Sequence, residues 1–388
     1  MKSLSAILLL LLPICIYGQR QQLLSIPPID SSKCVVDGIE MSTSRTQNSE
    51  LGKRLTLLFV GDLMQHQAQI DAARRADGTY DYSHCFALVK DDISRADIAI
   101  GNLEVTLGGE PYRGYPQFSA PDEYLQAIHD AGFDILGTAN NHSLDRRKRG
   151  LERTLALADS LGIPTMGTYR DSTDRLQRNP LMVEKNGVRI ALLCATYGTN
   201  GIASTAPNIV NSLNRQELAA DIRRARSLKP DAIIAFVHWG NEYQQQPNAE
   251  QRQLAKWLIE QGVDHIIGSH PHVVQPIELV PSAEHPTHHA IVYSLGNYVS
   301  NMSIAHGDVG LAVELTLEKI AGTTRLKDFS HSLVYTERAT LSRTGDFRII
   351  PADTVPTDIT PATRQRMQHA IATEEHFLSE SNKMNAFE

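Results

Sequence analysis

Between residues 55 and 294 a series of short apolar runs recurs, and nearly every one of them ends in side chains of the kind that bind metals. The runs span residues 55–60, 97–100, 134–136, 189–194, 232–237, 265–267 and 290–294. Longer amphipathic stretches lie between them, and their spacing predicts helices over 121–131, 148–161, 215–228 and 249–261. In the last of these, Leu254, Trp257, Leu258 and Gln261 recur at helical spacing, and Gly262 supplies the stop. Strands that alternate with helices imply βαβ units around a largely parallel sheet, so the fold class is α/β. After residue 310 the pattern changes to alternating strands, as in 311–317, where Ala312, Glu314 and Thr316 face away from their neighbours. A final helix is expected over 361–378.

The strand ends carry the chemistry. The first run leads into Gly61-Asp62, with His66 four residues later, and the second into Gly101-Asn102-Leu103-Glu104. The third leads into Ala139-Asn140-Asn141-His142, and later runs into His238-Trp239-Gly240 and Gly268-Ser269-His270-Pro271-His272. In open α/β sheets, sites assemble at the carboxyl ends of the strands. Two carboxylates (Asp62, Glu104), an amide oxygen (Asn141) and three imidazoles (His238, His270, His272) suit a pair of divalent ions such as Mn, Zn or Fe rather than Ca. Pro271 disfavours the helical region at His270, so an extended His-Pro-His is expected, with both rings on one side.

Each residue also has a plainer reading. Asp62 has the right place for a helix cap, Asn141 for a turn, and Glu104 for a solvated loop charge. A single His238 after an apolar run is ordinarily a hydrogen-bonded core residue. It is their joint recurrence, in strand-end order, that favours the metal reading.

The net charge of −7 excludes a basic nucleic-acid-binding field. At the start of the chain, Lys2, an apolar stretch over 4–16 and the small residue Gly18 predict a signal peptide over 1–18, shorter than the ~20 residues of a membrane span. Residues 19–52, with Pro27 and Pro28, are expected to form a linker or arm. One domain over 53–310 follows, completed by strands and a helix over 311–388. Removing the leader leaves Cys34, Cys85 and Cys194, with Cys34–Cys85 the pairing to test. The protein is thus expected to be exported, to the periplasm or cell surface.

Several phrases resemble the CapA, or poly-γ-glutamate capsule synthesis, family. They are Phe59-Val60-Gly61-Asp62-Leu63-Met64, Gly101-Asn102-Leu103-Glu104, Ala139-Asn140-Asn141-His142 with Asp145, and Thr196-Tyr197-Gly198-Thr199-Asn200-Gly201. His238-Trp239-Gly240-Asn241-Glu242-Tyr243, Gly268 to His272, and Ser294-Leu295-Gly296-Asn297-Tyr298 complete the set. That family is similar to the calcineurin-like metallophosphatases, which implies a β-sandwich core with flanking helices. The resemblance implies that Asp62 and His272 serve one metal and Asn141, His238 and His270 the other, with Glu104 bridging and His142 as the non-ligand general acid.

Two positions depart from the phosphatase pattern. Met64 stands where a ligand histidine is expected, for which His66 could compensate, and Glu104 replaces a bridging aspartate. The run Arg146-Arg147-Lys148-Arg149 departs from the CapA pattern, and reads either as a solvated turn capped by Asp145 or as an anion-binding rim. Two functions follow from the resemblance. One is a metal-dependent hydrolase of the phosphoesterase type, acting on a phosphoester or an anionic envelope polymer. The other is a non-catalytic accessory protein of polymer assembly or export, associated with a membrane synthesis complex.

Overall fold

The first apolar run grows into β1 (Lys53–Leu63), followed by α1 (Gln67–Ala73), α2 (Ser83–Phe86), α3 (Lys90–Arg95), β2 (Ile98–Leu103), α4 (Asp122–Asp130), β3 (Ile135–Gly137), α5 (Arg147–Ser160) and β4 (Thr165–Met166). Next come β5 (Thr168–Tyr169), α6 (Ser172–Arg178), β6 (Leu181–Lys185), β7 (Val188–Thr196), β8 (Ile209–Val210), α7 (Arg215–Ser227), β9 (Ala232–His238), α8 (Ala249–Glu260) and β10 (His265–Ser269). The chain finishes with β11 (Ile277–Pro281), β12 (His288–Val292), β13 (Asn297–Val299), β14 (Val309–Ile320), β15 (Thr323–Glu337), β16 (Arg348–Pro351) and α9 (Pro361–Asn385). This computed structural model describes residues 52–281 and 288–385. The leader over 1–18, nearly all of the 19–52 arm, and Cys34 with its pairing to Cys85 lie outside the described residues. Cys85 and Cys194 are both buried, which pushes each thiol up to about 12.

The strands form two large sheets rather than one. The first runs β16-β15-β14-β1-β2-β3-β4 with β13 also paired to β1, and the second runs β11-β12-β10-β9-β7-β6. Strands β1 to β4 are mutually parallel, as are β7, β9, β10 and β12. Antiparallel strands flank both parallel blocks.

Period-two burial on both faces explains the layering. Leu55, Leu57 and Phe59 of β1 share one core with Ile190 and Leu192 of β7 and Ile234 and Phe236 of β9. Phe59 meets Phe236 edge-on at 5.8 Å between the sheets. The alternate residues point outward: Leu58 and Val60 pack with Phe86, Ile93 and Leu125 of the helices. On the other sheet, Ile233, Ala235 and Val237 pack with Ile222 of α7 and Leu258 of α8. The result is a β-sandwich with helices on both outer faces, as the resemblance implies. Each fully buried aliphatic or Phe side chain adds roughly 1.5–3 kcal/mol, so both faces of each central strand hold the layers together.

The late strands join the first sheet. Strand β14 pairs with β1 from Lys319 to Ala312, turning Leu311, Val313, Leu315 and Leu317 inward. Helix α9 lays Met367, Ile371 and Leu378 on the same inner core and continues to Asn385, beyond the expected end at 378. Among the described residues no helix is long and apolar enough to cross a membrane.

One crossing matters for the site. After β12 the chain passes from the second sheet to the first, and β13 places Asn297 opposite Asp62. Gly61 allows this approach, since a Cβ there would lie 1.9 Å from the Gly296 carbonyl oxygen.

Candidate metal centre

The carboxyl ends of the parallel strands in both sheets converge. Asp62 ends β1 opposite Asn102 of β2, and His238 ends β9 opposite Ser269 of β10. Glu104 follows β2, Asn141 and His142 follow β3, and His270 and His272 follow β10. All nine of these residues are buried.

The overlapping sets of possible ligand atoms include Glu104–His238–His270 and Asp62–Glu104–His272, each with its atoms within 4.8 Å of one another. Glu104 belongs to both, its Oε1 lying 3.5 Å from His238 Nε2 and 3.8 Å from His272 Nε2. Asn141 Oδ1 lies 2.8 Å from His238 Nε2. The structure therefore brings together Asp62, Glu104, Asn141, His238, His270 and His272.

The donor chemistry fits divalent cations. His272 Nδ1 is 3.0 Å from both Asp62 Oδ2 and Asn297 Oδ1, two acceptors, so that nitrogen carries the proton and Nε2 keeps its lone pair. Glu104 Oε1, His270 Nδ1 and His272 Nε2 are buried with no hydrogen-bond partner. Such orphaned atoms are costly unless a cation or another group satisfies them. Burial and the adjacent Asp62 charge raise the Glu104 carboxyl well above the usual range. Burial pushes His270 down to about 3 and holds His238 well below the usual imidazole range, so both rings are neutral at pH 7 and available as ligands.

Residues that sequence reasoning did not assign hold this cluster in shape. Asn102 Nδ2 donates to Asp62 Oδ1 at 2.8 Å and lies 3.2 Å from Glu104 Oε2. Asn140 Nδ2 donates to Asn102 Oδ1 and to the Leu103 carbonyl. Ser269 Oγ sits 2.9 Å from His238 Nδ1, and Asn297 Nδ2 donates to the His272 carbonyl. Supporting amides of this kind orient metal ligands, but asparagine at a strand end signals a turn just as well.

The His270-Pro271-His272 segment is not extended, contrary to expectation. His270 has φ 103° and His272 φ 59°, and their ring centroids are 5.9 Å apart. The left-handed backbone is sterically costly for non-glycine residues and is held by Tyr243 N–H donating to the Pro271 carbonyl and by Asn297.

Residues 56–302 match the family described as "Bacterial capsule synthesis protein PGA_cap". The chain belongs to this family. It is 30% identical over 258 residues to the capsule biosynthesis protein CapA of Bacillus anthracis, covering 64% of this chain and 60% of that relative. Against the PGA biosynthesis protein CapA of Bacillus subtilis (strain 168) it is 28% identical over 293 residues, with 70% of each covered. A solved calcineurin-like phosphoesterase, YfkN from Bacillus subtilis, overlays with a TM-score of 0.42 at 16% identity, covering 83% of this chain and 99% of that one.

The departures from the phosphatase pattern in this CapA-family chain now have structural descriptions. Met64 is fully buried in the apolar outer core. His66 does not join either ligand set: it caps α1, its Nδ1 lies 3.3 Å from both Gln69 Oε1 and the Asn301 N–H nitrogen, and its ring meets Phe118 at 5.3 Å. Burial takes this ring down to about 4. Asp145 is not a helix cap. Its Oδ2 accepts from Phe118 N–H and lies 2.7 Å from His142 Nδ1, while Arg146 holds the N-cap position. Arg147 and Arg149 are exposed in the first turn of α5. Trp239 is core, donating to the Tyr293 carbonyl, whereas Tyr197 and Tyr243 stand half-exposed over His270 and His272.

Proposed function

We propose that this chain is an exported, metal-dependent hydrolase that acts on a phosphoester or a related bond during synthesis or export of an anionic envelope polymer of the poly-γ-glutamate kind. The observation that carries the reading is the trio of buried, partnerless atoms, Glu104 Oε1, His270 Nδ1 and His272 Nε2. The polymer class comes from the names of the Bacillus relatives, and export from the leader expected over 1–18.

Two divalent ions, Mn, Zn or Fe, held by Asp62, Glu104, Asn141, His238, His270 and His272, would supply Lewis acidity and acidify a water. The chain's own residues do the rest. Asp145 fixes the His142 ring through Nδ1, which leaves Nε2 to hand a proton to a leaving group. Tyr197 and Tyr243 provide aromatic walls at the rim.

The deciding experiment is the metal content of protein purified without chelator, paired with an anomalous-scattering map. About two ions per chain at this cluster support the hydrolase and justify a phosphoester screen. A cluster that takes up nothing, even after soaking in Mn or Zn, sinks it.

A second reading, an accessory protein that binds the polymer within a membrane synthesis complex without turnover, is favoured by one observation. Met64 places a buried thioether where the phosphatase pattern supplies a ligand. Metal-free protein that binds polyglutamate and hydrolyses nothing supports this alternative.

A further inference from the structure

Glu242 lies in the turn after β9, between Gly240 (φ 87°) and Tyr243 (φ 67°). Its side chain is exposed. Even so, a carboxylate oxygen of Glu242 and one ring nitrogen each of His270 and His272 lie within 4.8 Å of one another. The turn is held there from two sides. Tyr243 N–H donates to the Pro271 carbonyl at 2.8 Å, and Gln245 Nε2 donates to the buried Glu374 of α9 at 3.1 Å.

Two independent observations separate this arrangement from an ordinary solvated charge. His270 and His272 are 3% and 1% exposed, and each has a ring nitrogen with no partner. The ligand set is also short on one side. Asp62, Glu104 and His272 supply three donors, Met64 is committed to the apolar core, and His66 is engaged as a helix cap. Mn favours octahedral, oxygen-rich surroundings, so a protein oxygen has room beside these donors and a water.

We propose that Glu242 is an additional metal ligand that joins His270 and His272 from its exposed turn. This inference rests on the metal-centre reading above. An added carboxylate oxygen also makes the ligand set harder, favouring Mn over Zn.

The test titrates the metal-stripped chain with Mn(II) and, separately, with Zn(II), read by calorimetry and, for Mn(II), by its paramagnetic resonance signal. The variants are Glu242→Gln, Glu242→Asp and, as a charge control, Glu250→Gln, an exposed residue in the first turn of α8. Glu242→Gln should lose at least the roughly 10–100-fold in affinity for one Mn(II) that removal of an outer-shell partner costs, with Glu242→Asp intermediate and Glu250→Gln like the parent. Because the side chain is exposed, thermal melting of the stripped proteins should coincide, which separates ligand loss from misfolding. Unchanged Mn(II) binding in Glu242→Gln overturns the inference while leaving the metal centre standing. Equal losses in Glu242→Gln and Glu250→Gln overturn it too, since general charge would then explain both. A parent chain that binds neither Mn(II) nor Zn(II) overturns the inference together with the reading beneath it.

Discussion

Asn102 donates its side-chain amide to Asp62 Oδ1 over 2.8 Å, from the position that pairs with Asp62 in the parallel register of β1 and β2. The same nitrogen lies 3.2 Å from Glu104 Oε2, so one amide steadies two buried carboxylates. Asn102→Ala should destabilise the stripped protein by about 1–3 kcal/mol, because buried acceptors lose their donor. Urea denaturation in chelator measures this. A variant as stable as the parent would mean that the carboxylates find other partners.

His142 and Asp145 form a second pair, 2.7 Å apart and both buried. If the hydrolase reading holds, His142→Ala should cut phosphoester turnover by roughly 10²–10⁴-fold. Metal content should stay at the parent level, since His142 belongs to neither ligand set. Asp145→Asn should lower turnover in the same sense by releasing the ring from its tautomer. Turnover that survives both changes removes the proton-transfer role.

Gly61→Ala is expected to be the most damaging single methyl in the molecule's centre. The new Cβ would fall 1.9 Å from the Gly296 oxygen, which already accepts the Asp62 N–H at 3.0 Å. Forced shifts of this kind cost about 1–3 kcal/mol or more, and here they also move Asp62. A lowered melting temperature together with reduced metal uptake is the expected result. Normal values for both would show that β1 and β13 can part without consequence.

His265 offers a pH test away from the candidate centre. It opens β10, its Nδ1 accepts the Ala290 N–H at 3.1 Å, and burial pushes it down to about 3. The unfolded chain therefore binds a proton that the folded chain refuses between about pH 6.5 and about pH 3. In that window stability falls as pH falls, by about 1.4 kcal/mol per pH unit for one proton. His265→Asn keeps an acceptor without the titration, so its stability should decline less steeply on acidification. Parallel slopes for the two proteins would rule His265 out as a source of acid sensitivity.

The sequence made the central strands easy to find and their partners hard to see. Residues 232–237 are continuously apolar because Ile234 and Phe236 face the inner core while Ile233, Ala235 and Val237 face the helices. Since both faces carry the same chemistry, that run reads as a strand but cannot say whether one sheet or two lies ahead. The ligand types at the strand ends were legible because imidazoles and carboxylates recur there in order. Their supports were not, since Asn102, Asn297 and Ser269 look like ordinary turn residues until their partners arrive from distant segments. Local rules also misread two places. Pro271 was expected to keep His270 extended, yet tertiary contacts impose φ 103°, and Asp145 turns inward to His142 rather than capping α5.

The crossing from β12 to β13 has a further consequence. Asp62, Glu104 and Asn141 are carried by one sheet, and His238, His270 and His272 by the other. Neither half of the chain holds a complete set of donors. The centre comes into being only when the two halves have closed on each other, so a chain caught partway offers an ion nothing but scattered side chains. Uptake of an ion would then be a receipt for finished assembly, and any ion that binds would rivet the seam between the halves against opening.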